Sequence, residues 1–304
     1  MSTESPRLNS ITESQASLRA HGDSLWLKAL RKFRHDRVGM WSLAVVGIYA
    51  VAALGVVTGL WAGDWAAVTG PKWAPASAEY WFGTNIIGQD IFSRALYSTR
   101  TAFEVGVIVA LGATFLGAVL GAVAGFFSGT WIDEIVIWIM GVLDSVPFIL
   151  LVAAISYSLQ GSPWAMHIAM IATFWITTAR LVRGEVIKLK SLEYVEAARA
   201  IGLSQPLIIF RHILPNTFHI LLVQATISFV AAIKSEVILS FLGWGVKDGM
   251  SWGLMISEST FEVLAGFFNN FIAASVLMFG LVMAFNMFSD ALQDALDPRT
   301  VKES

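Results

Sequence analysis

The chain has 304 residues, of which 56% are hydrophobic and 14% charged, with a formal net charge of −2. Soluble domains carry about 25% charged residues, so this composition excludes an ordinary soluble domain, and the charge balance excludes the basic field of a nucleic-acid binder. Cysteine is absent, which removes disulfides, thiolate catalysis and cysteine-ligated zinc.

Residues 1–24 are rich in Ser, Glu and Arg without an apolar run, and read as a solvated cytoplasmic tail rather than a secretory signal. In 25–38, basic residues from Lys28 to Arg37 stand beside Trp26, Leu27, Leu30 and Phe33. These apolar positions share one helical face, which predicts a short interfacial helix leading into the membrane. Six apolar stretches follow, at 39–62, 101–127, 134–159, 165–182, 217–242 and 267–289, each long enough to cross a hydrocarbon core of roughly 30 Å. The expected fold class is an all-α polytopic membrane protein with six transmembrane helices. With both ends inside, fifteen Lys and Arg residues face inward and four (Lys72, Arg94, Arg100 and Lys247) face outward, while Lys234 lies within a span. That bias places both termini in the cytoplasm. The segments 63–100 and 243–266 then face outward as ordered loops, and 183–216 faces inward.

The inward segment contains Ser191-Leu-Glu-Tyr-Val-Glu-Ala-Ala-Arg-Ala-Ile-Gly202. On a helical wheel Tyr194, Ala197, Ala198 and Ile201 form one arc, and Glu193, Glu196 and Arg199 form the opposite arc. Ser191 is the expected N-cap, and Gly202 the left-handed residue that ends the helix. Ser204 and Pro206 begin a second helix, which Pro215 is expected to disfavour at Leu214. A plain connecting loop on the membrane surface is the alternative reading of these residues.

The spacing of Glu196-Ala197-Ala198, Gly202 and Leu214-Pro215 resembles the "EAA" loop of permease subunits in bacterial ABC importers: E-A-A, three residues, G, nine residues, I, one residue, L-P. His212 stands where the general pattern has Ile, and Arg211-His-Ile-Leu-Pro-Asn216 is similar to the peptide-permease branch. Three more blocks agree. Tyr80 to Arg100 resembles W-F-G-T-D-x-x-G-R-D-x-F-S-R, with Asn85 and Gln89 in place of Asp and Arg. Leu239 to Val246 resembles L-S-F-L-G-L-G-V, followed by Lys247-Asp-Gly-Met250 instead of a Pro-rich stretch. Asp290 to Arg299 resembles D-x-L-x-D-x-L-D-P-R.

The chain is thus similar to C-type permease subunits of dipeptide/oligopeptide ABC importers of the bacterial inner membrane. The resemblance implies a type I permease fold, with an N-terminal region over 25–100, a permease core over 101–290 and a cytoplasmic tail over 291–304. It also implies a second homologous permease, two cytosolic ATPase subunits holding ATP and Mg, an extracytoplasmic substrate-binding protein and surrounding lipid as partners, and no nucleic acid. Glu196, Ala197, Ala198, Arg199, Gly202, Leu214 and Pro215 then belong to the coupling helix and loop that engage an ATPase cleft. Nickel chelates, opines, sugars and antimicrobial peptides remain alternative substrates for such a subunit. An ion-coupled secondary transporter is the alternative of another class.

Asp144, Lys234 and Glu236 fall in or near spans, where an ionisable group costs a few kcal/mol unless it is paired or faces water. They are candidate pathway or gate residues, with a structural contact as the alternative. Asp133, Glu134 and Asp290 sit at span ends and read as interfacial. Gly106, Gly112, Gly117, Gly121 and Gly125 permit close helix packing, either internal or against a partner. His167 reads as a packed histidine, and His212 and His219 lack a metal geometry. No Gly-x-x-x-x-Gly-Lys loop occurs, so nucleotide must bind elsewhere, and no hydrolase motif or cofactor or metal set points to an enzyme.

Overall fold

The computed structural model describes residues 25–159 and 161–296. The expected tail 1–24 and the last part of the Asp290–Arg299 block lie outside the described residues. Ten helices organise the rest: α1 (Leu25–His35), α2 (Arg37–Val57), α3 (Ile91–Phe126), α4 (Trp131–Asp144), α5 (Phe148–Ser158), α6 (Ala165–Leu189), α7 (Glu193–Ala200), α8 (Phe218–Phe241), α9 (Trp252–Leu264) and α10 (Asn269–Leu296). Three short helical pieces over 205–217 lead into α8. Among the described residues the β-structure is limited to the isolated bridges Val68–Gln89 and Thr84–Asp90.

Five helices are long and apolar enough to cross a membrane: α2, α3, α6, Gln205–Phe241 and α10. The expected third span is not continuous. It forms α4 and α5, bent by 95°. Pro147 explains the break: its ring biases Val146 away from the helical region, and it has no N–H to continue the ladder. The expected second span starts at Ile91 rather than Thr101. Asp90 caps α3 by accepting from the Phe92 and Ser93 amides at 3.3 and 3.0 Å. The expected outward loop 243–266 contains α9, whose cap Ser251 accepts from the Leu254 amide at 3.2 Å.

Helix α3 is central, with α6 against one face and α8 against another. The glycines of α3 work inside the chain. A Cβ on Gly121 would lie 2.5 Å from the Ala179 carbonyl oxygen, and one on Gly117 2.6 Å from that of Trp175. Small residues therefore let α3 and α6 approach backbone to backbone. On the α8 side, Phe229 stacks on Phe285 of α10 at 3.9 Å and meets Phe103 edge-on at 5.5 Å. Helix α1 leans on the far end of α10 through Phe33, which packs with Ala291 and Ala295 and sets its ring 5.8 Å from that of Phe288. The predicted apolar arc of α1 is thereby divided, because Leu27 and Leu30 are exposed.

Candidate functional site at the loop between α6 and α8

Helix α7 differs from expectation in its cap and its faces. Ser191 does not cap it; its hydroxyl donates to the Lys188 carbonyl at 2.9 Å, closing the end of α6. Leu192 is the N-cap, without a side-chain hydrogen bond. Glu193 and Glu196 in the first turn place negative charge at the positive helix end. The C-terminus follows expectation. Gly202 has φ +81°, its amide donates to the Arg199 carbonyl at 3.0 Å, and the Leu203 amide donates to that of Ala198 at 3.1 Å. This is a Schellman ending, and it needs a residue at ease in the left-handed region.

The predicted arc of Tyr194, Ala197, Ala198 and Ile201 splits in two. Ala198 is buried beside Val195, packed with Ile208, Ile209 and Ile213 onto the ends of α3 and α6. Tyr194, Ala197 and Ile201 form an exposed stripe, with Ile201 75% exposed. The wheel could not separate these faces, because Ala suits both a tight contact and open solvent. Glu196 is exposed as expected. Arg199, expected on the charged arc, sets its guanidinium 5.1 Å from the ring centre of Phe126. The smallness of Ala198 thus serves a contact within the chain, while Ala197 and Gly202 remain open.

Pro215 does not interrupt the following helix. Residues Ile208–Ile213 widen into a π-helical stretch, and Leu214–Thr217 tighten into a 3-10 turn. These changes absorb the missing amide and the ring of Pro215 without a break. The Asn216 side chain steadies the turn by donating to the His212 carbonyl at 2.7 Å and to the Tyr194 hydroxyl at 3.3 Å. From Gln205 to Phe241 the chain is one helical path of 37 residues, about 55 Å at 1.5 Å per residue. It connects α7 mechanically to the opposite end of the bundle.

A second feature beside the loop escaped sequence reasoning. Asp133 of α4, expected to be interfacial, is buried and accepts two bonds from Arg183 of α6, at 2.6 Å from Nε and 2.8 Å from Nη2. The Gly129 amide adds a third, at 3.0 Å. Lys190 donates to Ser128 Oγ at 2.6 Å and to the Phe126 carbonyl at 3.2 Å. The turn between α3 and α4 is thus tied to α6 just before α7 begins. The sequence signal was only an acid and a base at span ends, 50 positions apart.

The three candidate pathway residues are not brought together. Asp144 ends α4 and pairs with Arg180 of α6, both side chains about half exposed. Lys234 is exposed on α8. Glu236 is buried and accepts from the Ser240 hydroxyl at 2.5 Å, while the Val246 amide donates to the same Ser240 oxygen at 3.1 Å. Among the described residues no grouping of His, Asp or Glu suits a metal ion.

At the other end of the bundle, the two departures from the 80–100 block are interior. Asn85 Nδ2 donates to Gln89 Oε1 at 2.9 Å, and Gln89 also contacts Arg94, which pairs with Glu258 of α9. Glu262 accepts from the Ile86 amide at 2.6 Å. Gln89 therefore ties the 58–90 segment to α3 through Arg94, Asn85 braces Gln89 within that segment, and the Ile86 amide ties it to α9.

The family described as "binding-protein-dependent transport system inner membrane component" matches residues 117–302. The chain is 37% identical over 226 residues to the dipeptide transport system permease protein DppC of Bacillus subtilis, covering 74% of this chain and 70% of that protein. It is 34% identical over 292 residues to the oligopeptide transport system permease protein OppC of the same organism, covering 92% and 91%. A chain of the MetNI methionine ABC transporter, solved in inward-facing conformations, aligns with TM-score 0.49 at 18% identity over 64% of this chain and 94% of that one. The chain belongs to the binding-protein-dependent transport system inner membrane component family.

Proposed function

We propose that the chain is a transmembrane permease subunit of an ATP-driven importer of peptides. It forms the translocation pathway with a second homologous permease and receives cargo from an extracytoplasmic binding protein. Both ends lie in the cytoplasm, as the Lys and Arg bias supports. Two cytosolic ATPase subunits hold ATP and Mg, and this chain performs no hydrolysis of its own. The printed names of the curated relatives support peptides as the cargo.

One observation carries the reading: the exposed stripe of Tyr194, Ala197 and Ile201 on a helix ended by Gly202. A short helix with an apolar stripe suits a groove on a partner. Its opposite face, Val195 and Ala198, is fixed to α3 and α6, and its exit is the unbroken helical path into α8. Displacement of α7 by an ATPase therefore acts on three membrane helices at once. ATP binding draws the ATPase clefts and the two coupling helices together, and so shifts the population between inward-open and outward-open states. An ion-coupled carrier would use its intramembrane charges as a linked path, whereas Asp144 closes on Arg180 and Glu236 on Ser240.

The test is purification of the tagged chain from its native membrane in mild detergent, with mass spectrometry and an ATPase assay. Recovery with a second permease and ATPase chains, and ATP turnover raised by a peptide-loaded binding protein, is the expected result. Recovery alone or as a homo-oligomer without ATPase activity overturns the reading.

A further inference from the structure

Helices α1 and α2 meet at an elbow. Asp36 between them is extended, with φ −77° and ψ 108°, and its carboxylate caps α2 by accepting from the Val38 amide at 2.9 Å. The elbow is held against the end of the apolar part of α10. Phe33 packs there with Ala291 and Ala295, and a Cβ on Gly39 would lie 2.8 Å from that of Ala291. Asp290 closes the apolar run of α10, so this level is where hydrocarbon gives way to headgroups. Residues 25–41 carry five Lys and Arg and one carboxylate, that of Asp36. Lys32 turns towards α10, its Nζ donating to the Asp294 carbonyl at 2.5 Å. Arg34 and Arg37, on either side of Asp36, are exposed and have no hydrogen-bond, ion-pair or ring partner among the described residues. Beyond Arg37, Trp41, Ala44, Ile48 and Val51 lie exposed along one face of α2, Trp41 the most at 74%.

We propose that this elbow binds a phospholipid with an anionic headgroup, its phosphate held by Arg34 and Arg37 and an acyl chain lying along the stripe that begins at Trp41. A guanidinium presents a planar fork of donors that matches two phosphate oxygens, and it is weakly hydrated enough to work at a membrane boundary. Asp36 does not compete for the two arginines, because its carboxylate already serves as the cap of α2. A zwitterionic headgroup would bring its own ammonium among five cations, so the repulsion favours a headgroup of net negative charge. The stripe selects a lipid over a free phosphate ion. From Trp41 to Val51 it rises about 15 Å at 1.5 Å per residue, half of a hydrocarbon core of roughly 30 Å and thus the depth of one leaflet. An indole at the headgroup level is the usual anchor at such a boundary. The site lies on the membrane side of the elbow and does not rest on the importer reading.

The experiment is native mass spectrometry of the full chain in mild detergent, titrated with phosphatidylglycerol or with phosphatidylcholine of the same acyl chains. The first phosphatidylglycerol should bind the wild type about tenfold more tightly than the first phosphatidylcholine, a comparison that needs no variant. The double variant Arg34→Gln/Arg37→Gln should lose about tenfold in affinity for phosphatidylglycerol and stay within about threefold for phosphatidylcholine. Lys188→Gln/Arg211→Gln removes two exposed bases at the same end of the bundle and should leave phosphatidylglycerol binding within about threefold. Glycerol 3-phosphate, a headgroup without acyl chains, should not displace the lipid at equal concentration. Equal affinity of the wild type for the two lipids overturns the proposal. An equal loss in both double variants overturns it too, because the attraction would then belong to net charge and not to the elbow. Displacement by glycerol 3-phosphate overturns the lipid assignment and leaves a site for a free phosphate group.

Discussion

Gly202 shows how one residue type can be required by backbone conformation alone. A Cβ there would meet no atom within 4 Å, so nothing collides; what excludes other residues is φ +81°. An L-residue in the left-handed region costs about 1–2 kcal/mol, less for Asn. Gly202→Val should therefore insert normally but lose peptide uptake and stimulated ATP turnover, whereas Gly202→Asn should keep most of both. Asp133 and Asp144 form a second contrast. Asp133→Asn leaves Arg183 facing a neutral group in a buried site, and thermal unfolding in detergent should register a loss of about 2–4 kcal/mol. Asp144→Asn removes an exposed pair and should change stability by less than about 1 kcal/mol. Gly202 was legible in the sequence because a helix-ending motif demands it. The Asp133–Arg183 pair was not, because the partners sit on different helices and nothing local couples them.

The scale of elements explains why spans were found and their shapes were not. Apolar length marks a crossing whether or not it is straight, so 134–159 read as one span although Pro147 turns it by 95°. Asp90 was visible as a residue, but its capping role depends on the Phe92 and Ser93 amides lying in its reach, so α3 begins earlier than hydropathy suggests. Helix α9 was hidden because 243–266 carries the Gly and polar residues of a loop while Ser251 starts a helix within it. The α3 glycines were legible as contact residues, but their partner was not, since small residues fit an internal and an external helix equally well. The Ala179 backbone against Gly121 identifies the partner as α6 and yields a prediction. Gly121→Val should force the helices apart and lower stability by about 1–3 kcal/mol in detergent unfolding. Gly141→Ala on α4, where a Cβ meets nothing within 4 Å, should be neutral or slightly stabilising.

Across the whole molecule, α7 and the 58–90 segment occupy opposite ends of one bundle, joined by the helical path from Gln205 to Phe241. The orientation of that axis is testable because the chain has no cysteine, so a single introduced thiol reports cleanly. In intact cells, Asp64→Cys should react with a membrane-impermeant maleimide, and Ser204→Cys should react only after the cells are opened. Both positions are exposed, so lack of reaction at either in opened membranes would signal misfolding rather than sidedness. The neighbouring pair Ala197 and Ala198, one exposed and the other 5% exposed, isolates the stripe on α7. The most direct measurement is short-range thiol cross-linking in native membranes, comparing Ala197→Cys with Ala198→Cys. Ala197→Cys should form a nucleotide-sensitive cross-link to an ABC ATPase subunit, and Ala198→Cys should form little or none. Absence of an ATPase cross-link from Ala197→Cys in a chain that still imports, or equal cross-linking from both positions, would contradict the account.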